Sequence, residues 1–153
     1  MPSFPQSISL AGRRGIVLGI ANEASIAWGC AKAMHAAGAE LALSYLNEKA
    51  RPHVQRLAAQ VAAPIFLPCD VEREGELEAL FAAAAARWGG IDFFVHSIAY
   101  APKEDLQGRV VDASRAGFLR AMDVSCHSFI VSDAAASITG GTLHVDGGYH
   151  ILG

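Results

Sequence analysis

The sequence predicts an α/β fold, a doubly wound parallel sheet with helices on both faces. Three observations carry that expectation. Short apolar runs alternate four times with longer segments of helical period, the loops between them are short, and the runs are continuously apolar, as in strands buried on both faces. The 153 residues suffice for one domain with a real core, and a single dinucleotide-binding domain over 1–153 is expected. Apolar residues make up 52% and charged residues 18%, which excludes a solvent-expanded chain.

Arg14–Leu18 reads as the first strand, ended by Gly19 and a loop through Asn22. Ser25 is placed to cap the next helix, in which Ile26, Cys30, Ala33, Met34 and Ala37 share one face, and Gly38 stops it. Glu40–Tyr45 is the second strand, 47–61 a more polar helix, and 64–68 a third strand bracketed by prolines. Asp70 is positioned to cap the third helix, whose stripe Leu77, Leu80, Phe81, Ala84, Ala85 and Trp88 keeps helical spacing until Gly89-Gly90. The fourth strand covers 92–96. A polar loop with Pro102, Asp105 and Gly108 follows, then a fourth helix over about 114–129 and a short strand over 142–145.

With 12 basic and 15 acidic residues the net charge is −3, which argues against nucleic acid or an anionic membrane as main partner. Cys30, Cys69 and Cys126 are odd in number and lack metal-ligand spacing, so reduced thiols and a cytoplasmic location are expected. The start, Met1-Pro2-Ser3-Phe4-Pro5, has no basic lead into an apolar run, and no stretch nears the roughly 18 apolar residues of a membrane span. Six histidines stand on separate elements without paired spacing, so no metal site is expected. Cys69 beside Asp70 suits a packed strand end better than a nucleophile.

Sheets of this kind bind ligands beyond the C-terminal strand ends, where the strand order reverses. In the loop from Gly19 to Ile26, Gly19 permits a tight turn and Ala21 a close approach, and the helix start offers N–H groups to a pyrophosphate. The spacing is not Gly-x-Gly-x-x-Gly, so the residues alone leave a plain turn and a phosphate cradle both open. Asp70-Val71 fit a helix cap, an adenine contact, or both. Ser97-Ile98-Ala99 fit an ordinary strand-end loop, or room for a ribose and nicotinamide.

Taken together these segments resemble the bacterial enoyl-acyl-carrier-protein reductases of the short-chain dehydrogenase/reductase superfamily. The matching motifs are the long glycine loop through Gly29, Cys69-Asp70-Val71, the run from Asp92 to Ile98, Ala113-Ser114-Arg115 to Met122-Asp123, and Ser132-Asp133 through Tyr149. The resemblance implies a Rossmann-like fold and NADH-dependent reduction of trans-2-enoyl thioesters in type II fatty-acid biosynthesis. It also implies an acyl-carrier protein as partner and a homo-oligomer, a tetramer in the family. By the same resemblance Gly19, Ser25 and Ile26 contact the NADH phosphates and ribose, Leu46 the adenosine half, Asp70 and Val71 the adenine, and Ile98 the nicotinamide ribose. Ala101 matches the position whose backbone meets substrate, and Ala99 stands where many members have glycine. No acidic residue occupies the end of the second strand to grip a ribose 2′-hydroxyl, so the NADH preference comes from the resemblance.

The family's tyrosine and lysine, in a Tyr-x6-Lys arrangement, stabilise the enolate and orient the nicotinamide ribose. Tyr45, Tyr100 and Tyr149 lack a lysine seven positions on, so no catalytic residue is assigned. Tyr45 and Lys49 spell Tyr-x3-Lys but sit beside the adenosine half, and Tyr100 reads as a pocket wall with no cation placed to activate it. After Ser128-Phe129 the chain passes straight to Ile130-Val131-Ser132-Asp133, which the family separates by on the order of a hundred residues. The expectation is therefore an N-terminal βα half, 1–129, joined to a C-terminal strand region, 130–153, across an internal deletion that bares the strand carrying Phe93, Phe94 and Val95. Two functions follow: an NADH-dependent enoyl reductase by descent, or a catalytically inactive NAD-binding fragment or assembly module of that family. A carbonyl-reducing relative is disfavoured by the Ser25-Ile26 loop.

Overall fold

The computed structural model describes residues 9–130. They fall into two compact units that divide after Ser97. In the first, β1 (Arg14–Leu18), α1 (Ile26–Ala36), β2 (Glu40–Tyr45), α2 (Arg51–Gln60), β3 (Ile65–Pro68), α3 (Glu76–Trp88) and β4 (Phe93–His96) alternate along the chain. The strands form one parallel sheet in the order β3-β2-β1-β4, with Ile16 opposite both Ala42 and Phe94. The doubly wound α/β reading holds.

Burial explains the continuous apolar runs. Ile16, Val17 and Leu18 of β1 and Leu41, Ala42 and Leu43 of β2 are wholly inaccessible, because these two strands are covered on both faces. Val17, Leu41, Leu43 and Tyr45 pack with Ala27, Trp28 and Ala31 of α1 and Val54 and Leu57 of α2. The alternate residues face the other way, where Phe81 of α3 meets Phe94 with ring centroids 5.2 Å apart. The outer strands β3 and β4 are only partly covered.

Four details depart from the sequence reading. The buried face of α1 is Ala27, Trp28 and Ala31, whereas Ile26 is 70% exposed and Ala33 is exposed. The two alanines let the helix lie close to the sheet, and that closeness sets the face. α2 begins at Arg51 and not near 47, because Asn47 first closes a turn in which its Oδ1 and its carbonyl both accept from the Ala50 N–H. Asp70 caps no helix: its Oδ1 accepts from the Glu72 N–H in a turn, and α3 starts after Gly75. Ala85 of α3 is exposed, although Leu77, Leu80, Phe81, Ala84 and Trp88 are buried as expected.

Helix ends follow the sequence more closely. Gly38, at φ +99°, closes α1 in a Schellman arrangement: its N–H reaches the His35 carbonyl and the Ala39 N–H reaches that of Met34. At the opposite end of the sheet from the strand C-termini, Asp92 pins β4 to β1. Its Oδ2 accepts from the Arg14 N–H at 2.8 Å and its Oδ1 from the Arg13 guanidinium at 2.6 Å.

In the second unit two 3-10 turns, Lys103–Leu106 and Val110–Asp112, precede α4 (Arg115–Met122). Ser114 is a true cap. Its Oγ accepts from the Gly117 N–H at 2.9 Å while Asp105 holds both its N–H and its hydroxyl. The helix then widens into a π-turn, Asp123–His127, before a last α-helical turn, Ser128–Ile130. The expected fourth helix is present, with this irregularity inside it. The expected strand over 142–145 and the motif from Ser132 to Tyr149 lie outside the described residues.

Two measurements check this account. Ala31→Met overfills the α1–sheet contact and is expected to cost about 1–3 kcal/mol in urea unfolding, whereas Ile26→Ser stays within about 0.5 kcal/mol of the parent. The Arg13 guanidinium and the Arg14 N–H hold the Asp92 carboxyl below its ordinary value of 3.8. Its contribution is therefore present above that value and lost as the pH falls below it. Asp92→Asn should lower stability at pH 7 and flatten the further loss on acidification, read from urea midpoints at pH 7 and below pH 3.8.

Candidate dinucleotide site

The chain leaves β1 toward β2 and β3 and later returns to place β4 on the other side of β1. The turn after β1 therefore lies at the point where the strand order reverses. The ladder continues past both strands, since the Ser97 N–H donates to the Leu18 carbonyl at 3.3 Å. Gly19 is seated against the same residue: it has φ +94°, and a Cβ there would overlap the Ser97 carbonyl oxygen. Only glycine satisfies both conditions.

Beyond Gly19 the loop is stitched by its own side chains. Ser25 Oγ accepts from the Ala21 and Asn22 N–H groups, each at 3.0 Å, and Asn22 Oδ1 accepts from the Ala24 N–H at 2.9 Å. Ser25 thus occupies the cap position of α1, as expected, but its hydroxyl faces back into the loop and caps nothing. α1 has no side-chain cap and no acidic residue in its first turn. Its leading N–H groups are left for an anion, with exposed Ile26 beside them. These residues fit a pyrophosphate.

At the next strand ends the Cys69 N–H donates to the Tyr45 carbonyl at 2.9 Å, so Leu46 and Asp70 leave adjacent strands side by side. Leu46 is 54% exposed. Together with Asn47, Glu48, Lys49, Pro68, Arg73 and Glu76 it lines an open cleft of about 460 Å³. The Asp70 N–H donates to Glu76 Oε2 at 2.7 Å, and Asp70 and Val71 are half-buried. Gly19, Ser25, Ile26, Leu46, Asp70 and Val71 thus all stand at the C-terminal ends of β1, β2 and β3.

Ile98 and Ala101 belong to the second unit, where Tyr100 between them is held firmly. Its N–H donates to Ser125 Oγ in the π-turn at 3.0 Å. The Arg120 guanidinium lies 4.6 Å from its ring centroid and donates to its hydroxyl at 3.2 Å. No local spacing in the sequence joins Arg120 to Tyr100: the two are twenty positions apart, and only the α4 geometry brings them together.

The remaining chemical candidates are engaged structurally. Tyr45 is 6% exposed, its hydroxyl bonds to Glu48 Oε1 at 3.2 Å, and burial raises its pKa. Lys49 does not pair with it. Burial, with Glu76 as the next cause, pushes the Cys69 thiol up to about 12, so it is an inert packed group. Among the described residues no cluster of three or more His, Cys, Asp and Glu side chains could hold a metal ion, and no helix is long and apolar enough to cross a membrane.

The Gly19 geometry sets a test. Gly19→Ala is expected to cost at least about 1–2 kcal/mol in thermal or urea unfolding from the left-handed backbone alone. Ser25→Ala, which strands two loop N–H groups, should cost about 0.5–1.5 kcal/mol.

Comparison with known proteins gives the family. Residues 19–132 match the family model described as Enoyl-(Acyl carrier protein) reductase. The chain is 40% identical over 154 residues to enoyl-[acyl-carrier-protein] reductase [NADH] 2 of Rhizobium meliloti, covering 93% of this chain and 58% of that protein. It is 46% identical over 122 residues to the NADH enzyme FabI of Salmonella typhimurium, covering 79% and 47%. The crystal structure of the Anaplasma phagocytophilum reductase in complex with NAD superposes with a TM-score of 0.76 at 41% identity, covering 83% of this chain and 48% of that one. The chain thus spans about half the length of the relatives it matches. On the family match over residues 19–132, three quarters of its length, the chain belongs to the enoyl-(acyl carrier protein) reductase family.

Proposed function

We propose that this chain supplies the NADH-binding half of an enoyl-[acyl-carrier-protein] reductase of type II fatty-acid biosynthesis, acting in the cytoplasm. The observation that carries the reading is the uncapped start of α1 behind a glycine turn pressed against the end of β4. Gly19, Ser25 and Ile26 hold the pyrophosphate and its ribose. The Ser25 hydroxyl shapes the loop, and backbone N–H groups meet the charge. Leu46 borders the adenosine, Asp70 and Val71 the adenine edge, and Ile98 the nicotinamide ribose. Ala101 offers its backbone to the substrate carbonyl, on a segment fixed by the Tyr100–Ser125 hydrogen bond.

When bound, NADH supplies the hydride for the β-carbon of a trans-2-enoyl thioester carried by acyl-carrier protein. Reduction also needs a group to stabilise the enolate oxygen. Within the 153 residues no tyrosine precedes a lysine by seven positions, and the Tyr45 hydroxyl is committed to Glu48. The second reading is favoured for the chain by itself: a cofactor-binding unit that does not turn substrate over. The resemblance implies a homo-oligomer, and that is proposed for the protein to which this half belongs.

Titration of the 153-residue chain with NADH, followed by nicotinamide fluorescence, should show saturable binding. The same sample should not oxidise NADH when a crotonyl thioester is added. Turnover would sink the claim that the absent tyrosine and lysine are needed, and absence of binding would sink the dinucleotide reading.

A further inference from the structure

Tyr100 is held at both of its backbone groups and at its ring, which is more than a pocket wall needs. Ser125 Oγ accepts from the Tyr100 N–H at 3.0 Å and donates to the Tyr100 carbonyl at 3.4 Å. The Arg120 guanidinium lies 4.6 Å from the ring centroid and donates to the hydroxyl at 3.2 Å. Side chains five positions apart stand about 140° apart around a regular α-helix. The π-turn Asp123–His127, with its i→i+5 bonds, turns Ser125 back toward the side that carries Arg120, and both meet Tyr100.

That hold dictates the direction of the next peptide group. In a trans peptide the C=O and the following N–H point in opposite directions. With the Tyr100 carbonyl turned to Ser125, the Ala101 N–H is aimed away from it. Among the described residues that N–H has no acceptor. Pro102, which is buried, confines Ala101 to extended backbone and brings no N–H of its own. Residues 101 and 102 therefore present one N–H between them, on a half-buried alanine fixed from both sides.

We propose that Ser125 and Arg120 are positioning residues: through Tyr100 they aim the Ala101 N–H at the carbonyl oxygen of an acyl thioester. The inference rests on the reading above that the Ala101 backbone meets the substrate carbonyl. To that reading it adds the atom that donates and the side chains that point it. The Ser125 hydroxyl sets the direction of the peptide, and Arg120 keeps the Tyr100 ring from turning and carrying the backbone with it. A donor set in place beforehand adds affinity because little ordering is left for the ligand to impose.

The test titrates crotonyl-pantetheine into the full chain saturated with NAD+, by calorimetry, and titrates NADH into the free chain separately. Ser125→Ala should weaken thioester binding about fivefold, the effect of one hydrogen bond. Ser125→Thr keeps the hydroxyl and should stay within about twofold of the parent. Arg120→Gln, which removes the cation over the ring, should weaken the thioester about threefold. NADH affinity should stay within about twofold in all three variants, a split that general loosening of the chain would not produce. Parent-like thioester binding by Ser125→Ala and Arg120→Gln would overturn the inference and leave the Ala101 reading standing. A loss that NADH and thioester share, unrescued by Ser125→Thr, would overturn it too, since the role would then be to hold the fold. Failure of the parent to bind the thioester while it binds NADH would overturn the Ala101 reading and this inference together.

Discussion

Everything at the ligand end of the sheet depends on how closely the turn after β1 approaches the end of β4. The β1–β4 ladder runs on to the Ser97 N–H, which brings the Ser97 carbonyl to where the side chain of residue 19 would stand. A hydrogen fits there and a methyl group does not. With φ at +94°, Gly19 also sends the chain back over the strand ends, so residues 20–25 fold into a short loop of their own. Asn22 and Ser25 satisfy that loop internally. The arrangement withholds from α1 the cap its own N-terminal serine could give, typically worth about 1 kcal/mol. Stability at the helix start is given up, and an open set of N–H donors is gained.

The same geometry shows which parts of the molecule were legible in the sequence. β1 and β2 run over the residues that their apolar runs mark, because strands buried on both faces leave little room for ambiguity. The buried face of α1 differs from the one its apolar pattern marks, because Ile26 weighs heavily in any hydrophobic pattern and Ala27 and Ala31 weigh little, yet closeness to the sheet selects the small residues. Asp70 and Asn47 carry side chains that compete for nearby backbone N–H groups, and each closes a turn ahead of a helix that begins later. For the site, Gly19 could be read as a turn, but its fit against Ser97 needs the strand order. The Tyr100–Arg120 contact and the cleft joining Leu46 to Arg73 link residues more than a helical turn apart in sequence, where no local spacing signals contact.

Burial divides the sheet unevenly, and the division bears on what it can bind. β1 and β2, with α1 and α2 over them, hold the inaccessible core, and the loop after β1 and the segment after β2 are anchored to it. β4 is half-buried throughout, and among the described residues it pairs on one side alone, with β1. A strand with one open edge and partial cover opens at lower free energy than the core strands beside it. On the proposed reading the phosphate and adenosine contacts therefore fall on the rigid part of the unit. The end of β4, where a nicotinamide ribose would sit, rests on the weaker part. On that reading the binding energy of this half comes mainly from the phosphate and adenosine side, where the uncapped helix start is already in place before any ligand arrives.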